Sequence, residues 1–200
     1  MNTAYKLTTQ ELTTHNGFQW TPGEWSPLLP GTELCTNGVY HAYPSPELAV
    51  ILNPIHANLP NPRLWKCSLG GGVIDNDNGL KLGAKQMRLD EEMTLPTYTT
   101  TQRVAFGILC VLEISKDEVF RGWAEKWLSG EDRSAEVAQA TYDRARWWGR
   151  SAVAMAAWWA ARQADKKVAR WSADAVQEAA RAAAAPLNLQ QVALKALTFS

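Results

Sequence analysis

Long apolar runs are missing from this sequence: none reaches the roughly 20 residues that a membrane-spanning helix needs. The opening MNTAYKLTTQ also lacks the charged-then-apolar layout of a signal peptide, so the expectation is a soluble, unexported chain that stays in the cytoplasm. Cysteine is scarce. Cys35, Cys67 and Cys110 are odd in number and show no C-x-x-C spacing, which argues against a disulfide framework or a zinc ribbon and leaves buried thiols. Histidine is limited to His15, His41 and His56, and the spacings of Cys35, His41 and His56 match no metal-ligand pattern. G-x-S-x-G, H-E-x-x-H and G-x-x-x-x-G-K are absent. Gly70-Gly71-Gly72-Val73 has no helix after it to complete a phosphate cradle and reads as a strand-end turn. Net charge is missing too, since 20 Lys and Arg balance 20 Asp and Glu. Proteins that neutralise nucleic-acid phosphates carry a strong basic excess, so nucleic acid is not the expected partner.

What is present falls into two compositions. Up to Pro96 the chain holds nine of its ten prolines and nine of its thirteen glycines, with short apolar runs between them. Beyond it come long proline-free stretches, and twenty of the fifty-one residues 135–185 are alanine, the strongest helix former. The fold class expected is α+β: a β-rich domain over 1–97, then a helical region over 98–200 that packs on it. Candidate strands are AYKLT, NGVYHAY, RLWKCSL, VIDND, LKLGAKQMRL and EEMTLP, with DNDNG as a turn. Ser45 as cap, Pro46 in the first turn and Glu47 beside the dipole predict a short helix that stops before Pro54. Three prolines in NPIHANLPNP predict an extended rigid loop.

In the second half, Thr99 and Gln102 form a capping-box pattern ahead of VAFGILCVLEI, too apolar all round for a surface helix and therefore the central buried one. Val119, Phe120, Trp123 and Trp127 recur at helical spacing in an amphipathic helix ended by Ser-Gly. Alanine-rich helix is expected over about 132–185, interrupted at Gly149, with a last short helix over 188–197.

Two tryptophan pairs stand out, Trp147-Trp148 and Trp158-Trp159. In one continuous helix their eleven-residue separation is three turns with about 20° of drift, so each Trp recurs on its own face, and neighbours point about 100° apart. One reading makes these aromatics core, in alanine-rich helices folded back as an antiparallel pair. Another makes Arg144, Arg146, Trp147, Trp148, Arg150, Trp158, Trp159 and Arg162 a protein-binding face, because Trp and Arg dominate interface hot spots. Self-association through the alanine-rich helices is a third.

Across nearly its whole length the layout resembles a family of phage and prophage proteins that pair an N-terminal domain with an alanine-rich helical tail. The segments that carry the resemblance are YKLTT, GFQWTPGEW, ELCTNGVYHAY, LNPIHANLPNPRLWKC, TQRVAFGILCVLEI and WAEKWLSGEDRS. It implies a phage-linked accessory protein. Together with the lack of a complete catalytic constellation and the surplus Trp/Arg surface over 144–162, it leads to the expectation of a protein in the cytoplasm of an infected or lysogenic bacterium that binds a protein partner such as a defence complex, as an anti-CRISPR does. A virion or assembly component is an alternative.

NGVYHAYPSPELA and RLWKCSLGG are similar to a strand, helix and following strand of poly-ADP-ribose polymerase-like transferases. That resemblance implies NAD as cofactor, with Tyr40, His41 and Tyr43 in the cleft and Glu91 or Glu92 as the acid. Tyr5-Lys6 stand where those enzymes have His-Gly, and Ile51 where they have a tyrosine. Without the resemblance no cofactor is expected and a non-enzymatic protein is favoured.

Overall fold

The computed structural model describes residues 3–75, 77–147, 151–161, 168–183 and 185–200. The fold is α+β, an antiparallel sheet followed by helices, and it divides into compact units Met1–Thr97 and Tyr98–Ser200.

The first unit is built on strands β1 (Thr3–Thr8), β2 (Tyr40–Ala42), β3 (Arg63–Asp75) and β4 (Leu82–Met93), in the order β1-β3-β4-β2 with every pairing antiparallel. Tyr43 leaves β2 and bridges to Tyr5 on the open edge of β1, N–H to O in both directions at 2.7 and 2.9 Å. The four strands are thereby brought round toward closure, leaving less open edge. The edge of β4 beyond β2 is covered by residues 23–29, whose Gly23, Ser26 and Leu29 amides donate to the carbonyls of Leu89, Met87 and Lys85.

Strands read separately in the sequence prove to be continuous: RLWKCSL and the first three residues of VIDND lie in β3, and the last two candidates both contribute to β4. The expected strand-end turn at Gly70–Gly72 is instead a bulge inside β3. The ladder shifts register between Gly70 and Val73, with Gly71 and Gly72 at φ of 70° and 87°. Only glycine takes those angles without strain, and an extra residue in one strand re-aims the side chains around it. In the facing stretch of β4 the buried residues change parity, from Ala84 to Met87 and Leu89.

Helix α1 (Pro46–Leu52) starts as expected: the Ser45 hydroxyl accepts from the Leu48 amide and Pro46 occupies the first turn. The proline-rich stretch after it is not extended from its start. Ile55 and His56 amides both donate to the Leu52 carbonyl, and the Asn53 side chain is bonded twice to the Leu59 backbone, so the chain coils before it straightens.

The second unit contains α2 (Thr100–Ile114), α3 (Glu118–Ser129), α4 (Ala135–Trp147), α5 (Ser151–Ala160), α6 (Val168–Ala182) and α7 (Leu189–Ala196). Helix α2 is its hub: every residue from Val104 to Val111 is buried, and α3, α5, α6 and α7 pack around it. Both bonds of the Thr99/Gln102 capping box form, at 3.1 and 2.9 Å. Helix α3 is capped by Asp117 and ended by left-handed Gly130. It buries Phe120, Trp123 and Trp127, while Val119, expected on that face, is 46% exposed. Helices α4 and α5 are separate and pack on one another, so the two tryptophan pairs do not share the single continuous helix assumed for their spacing. Gly149 lies outside the described residues.

Candidate functional site

Two places collect the functional candidates, one in each unit. In the first, alternation along β2 sends Tyr40 inward and leaves His41 half-buried on the other side. Tyr40 sits edge-on to Phe18 and Trp20, both at 5.3 Å, and its hydroxyl donates to the Pro27 carbonyl at 3.1 Å. His41 accepts at Nε2 from the Cys35 amide, at 3.0 Å. Tyr43 is buried and stacks on His56 with centroids 5.9 Å apart, and burial pushes its phenol well above the ordinary range. Ile51 is fully buried in α1, and Tyr5 is half-buried at its bridge to Tyr43.

The acids lie elsewhere. Tyr40 is opposite Ala84, whereas Glu91 is seven residues further along β4, roughly 24 Å of strand. The sheet therefore does not bring Tyr40 and His41 together with Glu91 or Glu92. Glu92 is held by the Arg63 guanidinium in a two-pronged bond of 2.6 and 2.7 Å, which keeps its carboxyl below the usual range. Glu91 is exposed opposite Lys66, and the register shift beside that pair leaves Asp90 unopposed to take bonds from Ser68 and Arg88.

Lys6, absent from the candidate residues read in the sequence except as a stand-in for a family glycine, is a buried cation of this unit. Its ammonium lies inside, donating to the His41 carbonyl at 2.6 Å and lying 5.3 Å from the Trp20 ring centroid. Burial pushes it down to about 8, and the neighbouring Cys67 thiol up to about 12. The only sequence signal is strand parity: Ala4, Lys6 and Thr8 share one face of β1, and Ala4 on that face is core.

In the second unit α4 buries only Ala138 and Ala145. Val137, Ala140, Arg144 and Trp147 follow one another at helical spacing on a face turned away from those alanines, and all four are exposed. Trp147 is 85% exposed, and Arg146 beside it is exposed as well. Trp159 does not belong to this surface. It is buried and stacked on Trp171 of α6 at 4.5 Å with planes 10° apart. Trp148, Arg150, Arg162 and the Trp158 side chain lie outside the described residues.

Among the described residues no group of three His, Cys, Asp or Glu side chains is placed to hold a metal ion, and no helix is long and apolar enough to cross a membrane. Neither protein-family models nor curated proteins nor solved structures give a match to this chain.

Proposed function

We propose that the protein works by binding another protein through the exposed face of α4. The observation that carries this reading is Trp147, 85% exposed at the end of a helix whose neighbouring exposed positions include Arg144 and Arg146. An indole left in water forgoes about 1.5–3 kcal/mol of burial, and Trp and Arg are the residues that return most when an interface covers them. The α4 face presents them on a rigid helix, as a ridge suited to a partner's groove. Resemblance to phage and prophage proteins extends the reading to a phage-encoded accessory protein whose partner belongs to a bacterial defence system.

The test is phage plating on a defence-carrying strain that expresses the protein. Plating efficiency rises if the reading is right, and Trp147→Ala with Arg144→Glu removes the rise while the variant stays folded. A single hot-spot loss of about 2 kcal/mol corresponds to roughly thirtyfold in Kd. Unchanged plating across a panel of defence systems, with the protein instead recovered in purified particles, would assign it to the virion.

A further inference from the structure

We propose that Cys35 and Lys81 are a redox modification site, at which an oxidised Cys35 sulfur is captured by the Lys81 amine in a sulfur–nitrogen cross-link. The two nucleophiles already touch, with Lys81 Nζ 2.9 Å from Cys35 Sγ. Both are held in place. The Lys81 side chain is only 13% exposed and its Nζ lies 3.5 Å from the Asp77 carboxylate, while the Cys35 amide is tied to His41 Nε2 at 3.0 Å. Yet Cys35 is an exposed free thiol, so an oxidant reaches the sulfur while the amine waits behind it.

The other two thiols differ in kind. Cys67 and Cys110 are buried, and burial holds both well above the ordinary thiol range, which keeps them from forming the reactive thiolate. Of the three cysteines, Cys35 alone combines access with an amine in contact with its sulfur, and oxidation of cysteine follows access.

The chemistry balances with a hydroperoxide as oxidant. The thiolate sulfur attacks the peroxide, the O–O bond breaks, the distal oxygen leaves as water, and sulfenic acid forms. The Lys81 amine, its ammonium proton given to solvent, then attacks sulfur. The N–S bond forms, the S–O bond breaks, and hydroxide leaves as water with the amine's proton. In total one thiol, one amine and one hydrogen peroxide give one S–N bond and two waters, with sulfur oxidised by two electrons and peroxide reduced. The link ties the turn around Cys35 to the residue before β4, and a thiol reverses it.

The experiment is peptide mapping of the full chain, without reductant, after brief treatment with dilute hydrogen peroxide. The expected product is a pair of peptides joined through Cys35 and Lys81, lighter than their sum by two hydrogens and separated again by dithiothreitol. It is lost in Cys35→Ser, and also in Lys81→Arg, whose guanidinium keeps the charge but supplies no comparable nucleophile; circular dichroism establishes that both variants fold. The proposal is overturned if no peptide containing Lys81 is linked in the wild type. It is equally overturned if dimedone traps Cys35 sulfenic acid to the same extent and lifetime in wild type and Lys81→Arg.

Discussion

The two units pack tryptophan by different means, the first leaving Trp25 40% exposed beneath the Arg88 guanidinium and the second leaving Trp147 85% exposed. In the first, Trp20 and Trp65 are inside, bonded through their indole N–H groups to Thr14 and Thr8, and they roof a strand face that also holds Lys6. In the second, alanine does most of the close packing: Gly107 of α2 lies against Ala175 and the Ser172 carbonyl of α6, an approach larger residues would prevent. With alanine and glycine bringing helices that near, the core of this unit takes Trp123, Trp127 and Trp159, and Trp147 is left outside. The sheet unit buries the Lys6 ammonium and covers its one exposed indole with a guanidinium, whereas the small-residue bundle leaves the Trp147 indole almost wholly in water.

The sharpest way to break this comparison is to cut one tryptophan of each kind. Trp127 is fully buried, its ring lies 4.9 Å from the Arg133 guanidinium, and its carbonyl accepts from Arg133 Nε. Trp127→Ala is expected to cost about 3–5 kcal/mol in urea denaturation. Trp147→Ala is expected to stay within about 0.5 kcal/mol of the parent. Equal losses would mean that Trp147 is covered in solution.

The next effect tests what the first unit hides. Lys6 falls from 10.5 to about 8 in the folded chain, a shift worth about 3 kcal/mol against folding while the amine is charged in both states. Below pH about 8 that penalty is present in full. Between about 8 and the ordinary lysine value the unfolded chain binds more protons than the folded one, so stability from this group rises with pH. Lys6→Met is therefore expected to be the more stable protein at pH 7, by up to about 3 kcal/mol less the lost bond to the His41 carbonyl. Its advantage should shrink steadily between pH 8 and 10.5. Taking the difference between the two proteins at each pH largely cancels the opposing titrations of Cys110 and Tyr43, whose raised values lower stability in alkali. A pH-independent difference would place the Lys6 ammonium in water.

The same contrast governs what could be read from sequence. Helices with local signals were legible to the residue: Ser45 and Pro46 for α1, Thr99 and Gln102 for α2, and Gly130 at the end of α3. The α+β class followed from proline and alanine content. What escaped was everything decided by partners distant in sequence. The bulge at Gly70–Gly72 depends on β4 and the closure through Tyr43 depends on β1, whereas Trp159, stacked on Trp171, takes the core position that one of the two readings gave it. Of the aromatic-basic candidates, Arg144, Arg146 and Trp147 share one helix end, which local spacing does capture. The Tyr40 and Glu91 pairing failed for the opposite reason, because residues can sit on adjacent strands and still be a strand length apart.

The smallest effects separate the units by the roles of their glycines. Gly71 has φ of 70°, and an added Cβ would stand 2.7 Å from Lys85 Cβ, inside any real contact distance. Gly71→Ala is therefore charged both with a left-handed backbone, about 1–2 kcal/mol for a residue with a Cβ, and with displacement of the neighbouring strand. Gly122 sits in the interior of α3 with nothing among the described residues within 4 Å of an added Cβ. There the substitution only removes the backbone entropy that glycine loses in a helix, so Gly122→Ala is expected to stabilise by about 0.8–1 kcal/mol. Thermal melts of the two single variants should move in opposite directions. If Gly122→Ala also lowers the melting temperature, the added methyl meets a neighbour in solution and α3 is covered at that position, as contact with a second copy of the chain would cover it.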